Sequence, residues 1–186
     1  MKKTKFNAYT LSFMGVMIAI IYVVTTFRFP LLGSKVHFAN SMCLLSGMLF
    51  GPAFGALAAG LGSAIYDLFN GYTFVDAMIT FVSKGAMACV CAMIAWSGKK
   101  YGAQFVRNCV AGVIGALTYV ALYMLKTFIF QAYVYHYPMD TVWATMLSKL
   151  IPSLINAGFA MVVTPVLMRA IHPMLKATGM LEKMRG

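Results

Sequence analysis

The sequence predicts an all-α integral membrane protein with six transmembrane helices, forming a single domain over residues 1–186. Composition is the first reason. Of the 186 residues, 61% are apolar and only 10% are charged, and the mean hydropathy is +0.81. A soluble domain of this size carries about 25% charged residues. Length is the second. A spanning helix needs about 20 mostly apolar residues to cross roughly 30 Å of hydrocarbon, so the chain holds about six spans with short links and little else.

The first helix is expected at about Ala8 to Phe27. Its basic start imitates a signal peptide, but the apolar run is too long for an h-region and lacks a clear small-x-small cleavage site. Arg28 to Lys35 breaks it, with Pro30 and Gly33 as punctuation. Helix 2 is expected at about Val36 to Phe50, a length of only about 22 Å. It either meets the membrane obliquely with helix 3 or starts within the first loop. Gly51-Pro52 is a tight turn, and Pro52 suits the first position of the next helix. Helix 3 runs from about Ala53 to Phe69, Asn70-Gly71-Tyr72 turns, and helix 4 runs from about Phe74 to Trp96. A basic link precedes helix 5, at about Phe105 to Phe130. An aromatic loop from Tyr133 to Asp140 leads to helix 6, at about Thr141 to Ile171. Pro152 and Pro165 are expected to kink it.

Charge sets the expected orientation. Lys2, Lys3, Lys5, Lys99, Lys100, Arg107, Arg169, Lys176, Lys183 and Arg185 fall on one side, ten of the fifteen lysines and arginines. The positive-inside rule makes that side cytoplasmic, with both termini on it. The net charge of +11 therefore reports topology and not nucleic-acid binding, since no soluble basic domain is present.

The other five cations, Arg28, Lys35, Lys84, Lys126 and Lys149, fall in outer loops or within helices, with Asp67, Asp76 and Asp140 on the same side. A lysine at the middle of a spanning helix costs about 2.5–3.5 kcal/mol on insertion scales, so it faces a cavity or a partner. Lys84, about 15 Å into helix 4, is read as functional or paired, and Asp67 is its most obvious possible partner. Lys126 is read as snorkelling to the interface. Asp67, Lys84 and Asn156 are the buried polar candidates for ligand binding. Arg28, Asn40, Tyr72, Tyr135, His136 and Lys149 are outer-face candidates. The outer aromatics suit an interfacial belt or a lid stacked on a flat heterocycle.

Small residues mark close packing. Helix 3 carries Gly51, Gly55, Ala56, Gly60 and Ala64 at four-residue spacings, which lets backbones touch. Helix 1 carries Ala8, Ser12, Gly15 and Ala19 on one face, for internal packing or for docking another membrane protein. Cys89-x-Cys91 lacks nearby histidines and is not a zinc pattern, so Cys43, Cys89, Cys91 and Cys109 read as packing residues and no metal or cofactor is expected. The chain has no phosphate-binding loop of its own for ATP hydrolysis and no hydrolase or metalloprotease motif.

Three stretches resemble a known family: Val36-His-Phe-Ala-Asn-Ser-Met-Cys-Leu-Leu-Ser-Gly-Met-Leu-Phe-Gly-Pro52, Gly60-Leu-Gly-Ser-Ala-Ile-Tyr-Asp-Leu-Phe69 and Thr80-Phe-Val-Ser-Lys-Gly85. They are similar to the substrate-binding (S) components of energy-coupling factor (ECF) vitamin transporters, in the riboflavin, hydroxymethylpyrimidine or pyridoxine branch. The resemblance implies a non-enzymatic membrane subunit of a prokaryotic plasma membrane, surrounded by lipid. It implies capture of a vitamin or precursor near the outer face, with uptake energised by a transmembrane coupling (T) subunit and two ATPases. It also implies that the helix 1 stripe of Ala8, Ser12, Gly15 and Ala19 docks the coupling subunit. A small membrane enzyme, with Lys84, Asp67 and His136 as its catalytic groups, and a self-sufficient channel or secondary transporter are the alternative readings.

Overall fold

The computed structural model describes residues 7–31 and 34–185. Lys2, Lys3 and Lys5 of the inner cation set, and Gly33 of the first loop, lie outside these residues. In chain order the elements are α1 (Ala8–Thr26), β1 (Arg28–Leu31), β2 (Ser34–His37), α2 (Ala39–Phe69), α3 (Phe74–Ala95), α4 (Phe105–Ile129), α5 (Met139–Ala177) and α6 (Met180–Arg185). A 3-10 turn at Ser97–Lys99 and a π turn at Phe130–Val134 complete the path. Among the described residues, five helices are long and apolar enough to cross a membrane.

The longest apolar element but one, α2, is two segments. Gly51 has φ 82° and ψ −176°, a conformation that a residue with a Cβ rarely adopts, and Pro52 starts a new helix directly after it. The Ser46 hydroxyl donates to the Gly55 carbonyl at 2.9 Å, and Cys43 Sγ lies 3.7 Å from Ser63 Oγ. In a straight helix residues 43 and 63 would be about 30 Å apart. The chain has therefore doubled back, with 39–50 and 52–69 as antiparallel arms. Counted this way the bundle has six helical membrane segments, with the expected turn at Gly51-Pro52.

Close packing follows the small residues. A Cβ on Gly55 would lie 2.5 Å from the Gly47 Cα, and a Cβ on Gly47 would lie 2.3 Å from the Ala88 carbonyl oxygen. Both arms of α2 thus touch their neighbours backbone to backbone, as small-xxx-small surfaces allow. Leu44, Met48, Met87, Cys91, Ala111 and Ala160 fill the centre of the core. All four cysteines are free thiols, and Cys43 and Cys91 are buried in it.

The chain's two described ends meet. Asn7 caps α1 by accepting from the Thr10 N–H at 2.8 Å and donates to the Lys183 carbonyl at 2.6 Å. Thr10 Oγ1 donates to the Met184 carbonyl at 3.4 Å. We call this the terminal end of the bundle and the opposite one, which holds β1 and β2, the ribbon end. Only Thr10, Met14, Met17 and Ile21 of α1 are buried. Ala8, Ser12, Gly15 and Ala19 are all exposed, and a Cβ on Gly15 would touch nothing within 4 Å.

Several boundaries differ from expectation. Val36 and His37 are not the start of a helix. They belong to β2, which pairs antiparallel with β1 in the register Arg28 with His37 and Phe29 with Val36. The β-branched and aromatic residues here favour a strand, and Pro30 sits in a two-stranded ribbon that has only edges. The first arm of α2 is shorter than expected for that reason, about 18 Å. The helix expected at Thr141 is α5, which begins at Met139 and continues to Ala177, with Pro152, Pro165 and Pro173 inside one continuous helix.

Candidate ligand-binding site

The ribbon does not float above the bundle. Asn40, three residues past the end of β2, accepts a hydrogen bond from Lys84, and Lys84 lies about 15 Å down α3 from Phe74. The ribbon backbone therefore enters the bundle below the rim. Irregular backbone at membrane depth must find its hydrogen-bond partners within the protein. Asn156 supplies them. Its Oδ1 accepts from the His37 N–H at 2.8 Å, and its Nδ2 donates to the Lys35 carbonyl at 2.8 Å. One side-chain amide thus pairs with the edge of β2 as a third strand would.

Beneath and beside the ribbon lies a cavity of about 400 Å³. Ligand sites fall at roughly 300–1,000 Å³. Its walls come from the ribbon, the second arm of α2, and α3, α4 and α5. Polar groups are layered along its depth. Asp67 and Asp76 lie within a turn of the ends of α2 and α3, and Lys126 lies in the last turn of α4. Together they form an upper layer. Thr73 caps α3 and donates to Asp76 Oδ2 at 2.7 Å, while Lys126 Nζ lies 2.7 Å from Asp76 Oδ1. Lys84 sits eight residues beyond Asp76, about 12 Å deeper.

Lys84 is only 4% exposed. Its Nζ lies 3.7 Å from the centroid of the Tyr119 ring, a close cation–π contact. Tyr119 stacks on Tyr123 at 6.0 Å, one helical turn further up α4. Tyr72, Phe130 and Tyr135 add further rings to the lining. Lys35 donates to the Tyr72 hydroxyl and lies 4.9 Å from that ring, which ties the ribbon to the α2–α3 turn. His37 also faces the cavity. Burial, and secondarily the Lys84 charge, lower its pKa to about 3, so the imidazole is neutral at physiological pH.

Of the residues expected to bind ligand, Asp67, Tyr72, Lys84, Tyr135, Lys149 and Asn156 line this one cavity. Asn40 lies behind the lining, bonded to Lys84. Arg28 and His136 are not among the lining residues. Arg28 sits 5.3 Å over the Tyr66 ring, and His136 is an exposed residue in a left-handed turn with φ 51°. Two expectations for the lysines change. Asp67 is not within ion-pair distance of Lys84, whose contacts are Asn40 and Tyr119. Lys126 does not snorkel away but pairs with Asp76 across α3 and α4, because the two face each other at the cavity's upper layer. Sequence reasoning missed His37, Tyr119 and Tyr123. Tyr119 and Tyr123 at i and i+4 on one face of an apolar helix were the available signal; His37 had none beyond its position in the first loop.

Comparison with known proteins agrees with this architecture. A solved structure described as the S component of a bacterial ECF transporter superposes with a TM-score of 0.68, covering 90% of this chain and 97% of that one at 17% identity. That likeness shows the fold. The model of the ECF-type riboflavin transporter S component family matches residues 5–173. The chain belongs to that family, and is a multi-pass membrane protein of the ECF transporter S component class. A relative from Pyrococcus woesei, described as an uncharacterized protein in a gap 3′ region, is 29% identical over 97 residues. That match spans 51% of this chain and 64% of the relative.

Proposed function

We propose that the chain captures a small water-soluble vitamin or vitamin precursor from outside the cell and hands it to an ECF-type importer. The observation that carries the reading is the cavity under the ribbon, which Asp67, Tyr72, Lys84, Tyr135, Lys149 and Asn156 line together. A flat heterocycle suits the rings of Tyr119, Tyr123 and Tyr135. A B6 form, hydroxymethylpyrimidine or riboflavin is the best match in class. In this reading the ribbon end faces outward and both termini face the cytoplasm, as the cations Lys100, Arg107, Arg169, Lys176 and Lys183 toward the terminal end support. The exposed small residues Ala8, Ser12, Gly15 and Ala19 dock the T subunit, and two ATPases supply the energy.

The test is to purify the protein, identify co-purified small molecules by mass spectrometry, and titrate the candidates. A vitamin-like heterocycle should bind with a Kd below about 1 μM, a free energy of roughly −8 kcal/mol. If none does, the reading fails. Uptake into liposomes by this chain without any ATPase would point instead to a self-sufficient transporter.

A further inference from the structure

The charges of the cavity do not balance. Lys35, Lys84, Lys126 and Lys149 line it against only Asp67 and Asp76. Asp76 is taken by Lys126. That leaves Lys35, Lys84 and Lys149 against one carboxylate, and Asp67 belongs to the upper layer, beyond ion-pair distance of Lys84. Lys84 is the most enclosed of these cations. Its hydrogen-bond and ring partners, the Asn40 side-chain Oδ1 and the Tyr119 ring, are neutral groups that orient toward a positive charge without cancelling it.

The polar atoms around Lys84 are also incompletely used. The Asn40 Nδ2 amide and the His37 Nδ1 atom are buried without a hydrogen-bond partner. Buried polar atoms without partners are rare in native proteins. An ammonium and an amide donor gathered at one end of an aromatic-walled cavity are complementary to a group with several acceptor atoms and a negative charge.

Granting that the cavity holds the vitamin-like ligand, we infer that this ligand carries an oxyanion, a carboxylate or a phosphate, seated at Lys84 in the deep layer. Its ring lies against Tyr119 and Tyr123. The oxyanion supplies the counter-charge that the protein withholds from Lys84, so the deep layer is electrically complete only when ligand is bound. Specificity follows: a neutral analogue of the same shape leaves Lys84 uncompensated.

The test uses two probe pairs on the full-length protein in lipid nanodiscs at neutral pH, with calorimetric titration. Nicotinate and nicotinamide differ by a carboxylate, and pyridoxal 5′-phosphate and pyridoxal by a phosphate. The ligand extracted from the purified protein is identified in parallel. In at least one pair the acid should bind about tenfold or more tightly than its neutral partner. Which pair discriminates tells carboxylate from phosphate. Lys84→Arg should keep the preference and Lys84→Met should remove it. Retention of the preference by a folded Lys84→Met protein overturns the seat at Lys84. Equal or tighter binding of the neutral member in the pairs that bind overturns the inference and leaves vitamin capture standing. If none of the four binds, an anionic heterocycle in the extract supports the inference and a neutral one overturns it. No binding and an empty extract overturn both.

Discussion

The chain reverses direction at the ribbon and again at Gly51, and the two reversals are built in opposite ways. At Gly51 the arms of α2 meet backbone to backbone, with glycine and alanine at the contacts and no room for one added carbon. At the ribbon end β1 and β2 replace that contact with a polar bridge, Asn156, and leave about 400 Å³ beneath it. Close backbone approach, with the Ser46–Gly55 hydrogen bond, holds the first reversal; side-chain hydrogen bonds from Asn156 hold the second. Tight packing fixes a shape, whereas polar bridging around a void leaves groups that can bind something else. The same bundle is thus a close-packed frame at one end and, in the function proposed above, a receptor at the other.

The comparison can be broken at either end, and the frame should give the largest effect. Gly47→Val places side-chain atoms into the Ala88 backbone. Overpacking of this kind costs about 1–3 kcal/mol or more, and the expected outcome is loss of folded protein on size-exclusion chromatography and a lowered melting temperature. At the receptor end, Lys84→Met should weaken ligand binding by roughly 10- to 100-fold while membrane insertion holds. Unchanged affinity would make Lys84 a structural residue. Asn156→Ala strips partners from the His37 N–H and the Lys35 carbonyl, at about 1–3 kcal/mol for each buried group left unsatisfied. Faster amide exchange confined to the ribbon is the expected signature.

Acid should act through His37. Its imidazole stays neutral in the fold down to about pH 3, while in the unfolded chain it takes up a proton near 6.5. The unfolded state therefore binds the extra proton, and stability falls as pH drops from about 6.5 toward 3, by about 1.4 kcal/mol per unit for one group. His37→Gln should flatten that slope in pH-dependent melts. The smallest effect belongs to Lys126→Met. Its pair with Asp76 is about a quarter exposed, and pairs of that kind are worth about 0–1 kcal/mol. A change in melting temperature above a few degrees would show that the pair does more than close the upper layer.

How much of this was legible depends on the range of the interaction. The helices were, because apolar runs of spanning length leave few alternatives, and the Gly51-Pro52 turn was, because few residue pairs reverse a helix so sharply. The ribbon was not. Val36 and His37 continue into an apolar run, and only pairing with Arg28 and Phe29 makes them a strand. Lys84 stood out because a lysine in an apolar helix is costly. Its partners did not. Asn40 and Tyr119 are unremarkable in sequence, and charge alone suggested Asp67. The pairing of Lys126 with Asp76 was hidden likewise, since it joins residues 50 apart.

The Gly51 turn also bears on how the protein enters the membrane. The first arm of α2 is too short to span hydrocarbon alone, at about 18 Å against roughly 30 Å. Its partners nearest in sequence, Ser46 to Gly55 and Cys43 to Ser63, lie within the next 20 residues of chain. The two arms are therefore expected to partition from the translocon as one helical hairpin and not one after the other. Glycosylation mapping of truncated chains should find residues 39–50 uninserted until the second arm has emerged. The order of biogenesis is in this sense written into one glycine and the proline that follows it.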